Sequence, residues 1–145
     1  MSSFFLLIAI FIGGVAAAIQ PVINARLAAR TGVLESATVS FAVGTVVLLI
    51  LSLATAKGSF RALADAPAWE LSGGFYGAFF VALMILAVPR LGVTTVMAAL
   101  IVAQLITGLV FDHYGLLGVR LAPLDLRRIV GVIMLLAGTV LIYRR

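Results

Sequence analysis

Gly13-Gly14-Val15-Ala16-Ala17-Ala18-Ile19-Gln20-Pro21-Val22-Ile23-Asn24-Ala25-Arg26 is the stretch whose reading decides what kind of fold this chain has. Small apolar residues run into Gln20, Pro21 and Asn24 before Arg26 brings the first charge. In water this would be the polar end of an ordinary helix. Inside a bilayer the same residues cost free energy, because the carboxamides lose water and the proline frees a backbone carbonyl. Polar groups kept at that cost mark a functional element. The choice between the two readings depends on whether the chain lies in a membrane.

Composition answers that. Of 145 residues, 64% are hydrophobic and only 10% are charged, against about 25% charged in soluble domains. The mean hydropathy is +1.29. Such an inventory cannot build a polar shell. The charges also cluster, leaving uncharged runs of 25 residues before Arg26, 21 between Glu35 and Lys57, 19 between Glu70 and Arg90, 21 between Arg90 and Asp112, and 15 between Arg128 and Arg144. A spanning helix needs roughly 17–25 apolar residues, fewer where flanking side chains snorkel. The runs therefore predict one all-α transmembrane domain over residues 1–145, with helices at about 4–25, 36–56, 71–89, 91–111 and 129–143.

Other classes fall away. The net charge of +5 comes from Lys and Arg between apolar segments, the usual anchors of membrane helices, and does not indicate nucleic acid. With no Cys, one His and scattered carboxylates, no metal site, cofactor or enzyme constellation is expected. Phe4 to Val15 followed by Ala16-Ala17-Ala18 has the outline of a signal peptide, but no Lys or Arg precedes it.

Along the chain, Gly13, Ala17, Gln20 and Asn24 fall at i, i+4, i+7 and i+11, on one stripe of helix one. Pro21 cannot donate to the Ala17 carbonyl, which leaves an acceptor beside Gln20. The stripe reads equally as a solute site and as a helix–helix contact of small residues and bonded amides. Arg26 to Glu35 reads as a connection with Thr31-Gly32 as its turn. Ser36, Ser40 and Gly44 form a close-packing face on helix two. Trp69 and Glu70 open helix three at the interface, where Gly73 and Gly77 make a small-xxx-small pair and Tyr76 either faces a cavity or sits among headgroups. Pro89-Arg90 reads as the whole connection to helix four, which would make helices three and four antiparallel neighbours.

Gln104, Gly108 and Asp112 lie at i, i+4 and i+8 on helix four. Gln104 is mid-helix, so its amide must find a partner or line water. Asp112 and His113 end the span and could handle a proton or act as a gate, although adjacent helical residues diverge by about 100°. Leu124-Asp125 reads as the N-cap of helix five. Gly131 and Gly138 give that helix a smooth face, fit for a dimer interface. Tyr143-Arg144-Arg145 reads as an aromatic and basic anchor.

Five spans place Arg26, Arg30, Arg90, Arg144 and Arg145 on one side and Lys57, Arg61, Arg120, Arg127 and Arg128 on the other. Orientation follows Lys/Arg bias in short loops, and five against five gives none. The expectation is insertion both ways up and pairing as an antiparallel homodimer. Many secondary transporters are inverted repeats with the site at the repeat interface, and this chain, with no evident internal duplication, has the length of one repeat.

The combination of Gln20-Pro21-x-x-Asn24-Ala25-Arg26-Leu27, Val43-Gly44, Trp69-x-x-x-Gly73-Gly74-x-x-Gly77-Ala78-Phe79, Val88-Pro89-Arg90-Leu91-Gly92, Ala103-Gln104-Leu105-Ile106, Asp112-His113-Tyr114-Gly115-Leu116-Leu117-Gly118 and Arg128-x-x-Gly131 with Gly138 resembles the YdcZ-like family of the drug/metabolite transporter superfamily. The resemblance covers nearly the whole chain. It implies a bacterial inner-membrane protein similar to one half of the ten-helix members and related to the small multidrug resistance proteins. Those relatives work as dimers or fused halves exposing a central site to each side in turn. One departure matters: the multidrug proteins carry a glutamate in helix one, and here that helix has no carboxylate. Proton-coupled cation antiport is therefore not carried over.

The expectation is thus a half-length transporter of a small organic solute, its cavity lined by Gln20, Asn24, Tyr76 and Gln104. Pro21, Gly13, Gly73, Gly77 and Gly108 would serve as hinge or packing residues, and Gly131 and Gly138 would hold the dimer. The rival is a non-transporting membrane subunit or scaffold whose amides only knit helices together.

Overall fold

The computed structural model describes residues 3–55 and 57–143, and among these every regular element is helical. Five long helices follow one another: α1 (Ser3–Thr31), α2 (Val33–Thr55), α3 (Gly73–Leu91), α4 (Val93–Tyr114) and α5 (Leu126–Tyr143). All five are long and apolar enough to cross a membrane, α3 together with the 3₁₀ turn Ala68–Ser72 that leads into it. The chain folds as two compact units, Met1–Arg90 with α1 to α3 and Leu91–Arg145 with α4 and α5.

The helices run past the ends of the uncharged stretches. The expected connection from Arg26 to Glu35 is helical except at Gly32, and α2 starts at Val33 instead of Ser36. Charge marks where the hydrocarbon ends; it does not end a helix, and Arg26, Leu27, Ala28, Ala29 and Arg30 are all good helix formers. The 29 residues of α1 rise ~44 Å at 1.5 Å each, more than the ~30 Å hydrocarbon core. Its last turns accordingly carry Arg26 and Arg30 towards the headgroups. The corner itself needs φ of +106° at Gly32, whose N–H donates to the Ala28 carbonyl at 2.9 Å and whose carbonyl accepts from Ser36 N at 3.1 Å.

Pro89 and Arg90 are likewise inside the last turn of α3, and the break falls at Gly92 with φ of +81°. Trp69 and Glu70 lie in the 3₁₀ turn, whose Ser72 hydroxyl donates to the Trp69 carbonyl at 2.6 Å. Helix four extends beyond residue 111 to Tyr114, which puts Asp112 and His113 on its last turn. Gly115 closes it in the left-handed conformation, its N–H on the Phe111 carbonyl. Helix five starts at Leu126, not Ile129, because Asp125 caps it as its sequence suggests: Oδ1 accepts from Arg128 N at 2.8 Å. Ala56, the expected end of helix two, and the Arg144–Arg145 anchor lie outside the described residues.

In the first unit, Val81 and Ile85 of α3 are buried with Ala37 of α2, and Ala28, Val33 and Phe80 surround them. Gly77 faces Phe41, whose Cζ would be 3.2 Å from any Cβ at that position, so the aromatic ring of α2 reaches across to α3 there. At Gly13 and Gly73 a Cβ would meet nothing within 4 Å, so neither is a contact point within its own unit. Only Pro21 and Asn24 of α1 are buried, and none of α5 is. In lipid, helix association gains little from the hydrophobic effect and relies on close packing and hydrogen bonds. That is why the buried part of α1 is its polar part.

Candidate functional site

Two constellations carry the carboxamides Gln20, Asn24 and Gln104 of the spans, one in each unit. In the first, α1 and α2 are stitched by three hydrogen bonds centred on Asn24. Asn24 Nδ2 donates to Ser40 Oγ at 3.1 Å, Gln20 Nε2 donates to the same oxygen at 3.4 Å, and the fully buried Ser36 Oγ donates to the Asn24 carbonyl at 2.7 Å. The four-residue spacing of Ser36 and Ser40 puts both hydroxyls on the face that meets α1. Their partners could not be read from either helix alone. Ala17, Gln20, Pro21 and Asn24 also face Phe80, Val81 and Met84 of α3, and the space between them has no room for a water molecule. Tyr76 stands apart from this cleft, with 65% of its surface exposed.

The second constellation is a groove of about 360 Å³ between α4 and α5. Gln104, Leu105, Gly108, Leu109 and Asp112 line it from α4, and Arg128, Gly131, Val132 and Leu135 from α5. The i, i+4, i+8 spacing of Gln104, Gly108 and Asp112 brings all three to one wall, as the sequence indicated. A Cβ at Gly108 or Gly131 would meet nothing within 4 Å, so the two glycines leave the space open. The walls are apolar, and the polar groups stand at the ends. Among the described residues nothing hydrogen-bonds the Gln104 carboxamide, while at the other end Arg128 Nη1 lies 3.2 Å from Asp112 Oδ2. Arg128 is the residue sequence reading missed. It looked like one of several interfacial cations, and only its place on the first turn of α5, opposite Asp112, shows that it closes the groove.

Asp112 and His113 do not act on one another. Asp112 engages Arg128 through its side chain and Ala122 N through its carbonyl at 2.8 Å, and His113 Nδ1 accepts from Leu124 N at 3.2 Å. Both thereby tie the Gly115–Asp125 loop to the end of α4. Arg128 Nη1 adds a 3.4 Å bond to the Ala122 carbonyl. Gly131 lines the groove, while Gly138, half-buried, lies beyond it on α5. A larger hollow of about 570 Å³ beside the end of α2, lined by Ser52, Leu53, Gly58, Ser59, Phe60 and Leu63, holds no ionisable group. Among the described residues no three His, Cys, Asp or Glu side chains gather as a metal site. Of the expected cavity residues, Gln20, Asn24 and Tyr76 belong to the first unit and Gln104 to the second.

Comparison with known proteins points the same way as the helices. A family model described as "Putative inner membrane exporter, YdcZ" matches residues 4–141. The chain is similar to the inner membrane protein YdcZ of Escherichia coli (strain K12), with 39% identity over 77 residues. The match takes in 53% of this chain and 51% of that protein, so the chain aligns with about half the length of that relative. No solved structure matches.

Proposed function

The chain belongs to the YdcZ family, and from this premise we propose that it exports a small organic solute across the bacterial inner membrane. It is a multi-pass α-helical inner-membrane protein, and its family is described as one of inner membrane exporters. The finer reading is alternating access by an antiparallel homodimer that inserts both ways up. The balance of five cations on each side of the five spans supports that topology. Mostly exposed apolar faces on α1 and α5 leave ample surface for lipid and a second copy.

The observation that carries the solute site is the groove between α4 and α5. It combines solute-sized space, apolar walls and an unpartnered carboxamide at spanning depth, the pattern of small-molecule sites in general. Gln104 is its principal binding residue. On the first unit, Gln20 and Tyr76, both exposed, are candidate solute contacts in their own right, while the Asn24 amide is engaged by Ser40, and Pro21 with the glycines gives the helices room to rearrange. Gln104 offers hydrogen bonds at one end of the groove, and the Arg128–Asp112 pair stands at the other. The test is flux of a broad solute set in vesicles containing the purified protein. Gln104→Leu is expected to abolish flux while insertion and dimer formation persist.

One observation favours the rival. The Asn24–Ser36–Ser40 stitching is complete without a solute, as a scaffold subunit would need. A ligand of the native state raises stability by mass action. If the solute set neither stabilises the purified protein nor crosses the vesicle membrane, the scaffold reading replaces export.

A further inference from the structure

The groove also carries information about the chemical class of its occupant. Gln104 and Asp112 are eight residues apart on one face, ~12 Å along the axis at 1.5 Å per residue. Between them the wall is Leu105, Gly108 and Leu109, faced by Gly131, Val132 and Leu135. An occupant must therefore be apolar in the middle and polar at both ends. At the charged end, Arg128 uses only Nη1, end-on to Asp112 Oδ2 and to the Ala122 carbonyl. A guanidinium has five donors in a planar fork made for paired oxygens, and among the described residues nothing engages Nε or Nη2. Arg128 is also the third residue of α5, and the positive end of that helix adds to its charge.

We propose that the groove between α4 and α5 binds an amphipathic organic anion, whose carboxylate or phosphate head takes the free edge of Arg128 and whose far end hydrogen-bonds Gln104. Asp112 then competes with the head for the guanidinium. In the empty groove it keeps Arg128 neutralised, and on binding it gives up part of that contact. Two sources offer this chemistry, a soluble ω-hydroxy acid and an anionic phospholipid. The Gln104 amide separates them, since an acyl chain would leave it facing hydrocarbon without a partner, whereas a terminal hydroxyl would satisfy it. The inference rests on the groove being the solute site.

The test is thermal stabilisation of the purified full-length protein in neutral detergent by 8-hydroxyoctanoate, octanoate and octylammonium, with phosphatidylglycerol as a separate arm. 8-Hydroxyoctanoate is expected to raise Tm most, octanoate less, and octylammonium not at all. Arg128→Gln should weaken 8-hydroxyoctanoate about tenfold or more, the loss of a charge-assisted hydrogen bond. Asp112→Asn should strengthen it. Gly108→Leu, which fills open space without touching the ion pair, should abolish binding and covers the case in which Arg128→Gln unfolds. Stabilisation by octylammonium that disappears in Asp112→Asn would overturn the anion in favour of a cation. Stabilisation by phosphatidylglycerol alone would make the groove a lipid site, and no response to any probe would remove it as a binding site. In each of those three outcomes the export reading stands or falls separately, on flux of the broad solute set.

Discussion

At the scale of single residues, the polar groups of the membrane spans divide by whether the fold has already satisfied them. Asn24 and Ser36 are buried and bonded, and Gln104 is not. Ser36→Ala removes the 2.7 Å bond to the Asn24 carbonyl and is expected to destabilise the protein by about 1 kcal/mol, seen as a lower unfolding midpoint in mixed micelles with flux preserved. Gln20 and Ser40 provide a sharper comparison. If the Gln20 amide binds solute, Gln20→Leu lowers flux while Ser40→Ala, which removes the shared partner of the Gln20 and Asn24 amides but keeps the Gln20 carboxamide itself, leaves it intact. Equal effects from both substitutions would assign the amide to packing. None of this division was legible in the sequence, because a carboxamide in an apolar run looks the same whether or not a neighbouring helix supplies a hydroxyl.

At the scale of elements, helix existence was readable and helix ends were not. The uncharged runs located all five spans, since burial in hydrocarbon demands them. The ends slid outwards by a few residues at Thr31, Leu91, Tyr114 and Leu126 because backbone hydrogen bonding continues past the membrane boundary wherever no residue stops it. The stops are local and chemical: the left-handed glycines at 32 and 115, and the carboxylate cap at 125. Asp125→Ala should cost about 1 kcal/mol and fray the first turn of α5, measured as faster amide exchange at Leu126 to Ile129. Helix contact is equally specific. Gly77→Leu would drive a side chain into Phe41 and is expected to cost about 1–3 kcal/mol, while Gly131→Ala, which meets open space, should leave the unfolding midpoint unchanged.

At the scale of the whole molecule, the charge balance bears on assembly. A reporter fused after Arg145 is expected to be active on both sides of the membrane, because five cations face each side. One-sided reporting would exclude an antiparallel pair of identical chains. A Cys introduced at Gly138, in a chain with none of its own, should form a disulfide-linked dimer on oxidation if α5 holds the two copies together, and monomer alone would place the interface elsewhere.

What the sequence determined by itself was the solvent and the element count: a chain with 10% charged residues in separated clusters can only be a set of apolar helices in a bilayer. It also placed the candidate polar groups on helix faces, because the 3.6-residue period is fixed by the backbone. Only the tertiary structure decided their partners. Ser36 and Ser40 met the helix-one amides, which tied off much of the Gln20-Pro21-x-x-Asn24 stretch, and Arg128 met Asp112 at the end of an open groove that left Gln104 unsatisfied. The physical reason is that a hydrogen bond between helices depends on the register and approach of two segments distant in the chain, and no local spacing within either segment encodes it.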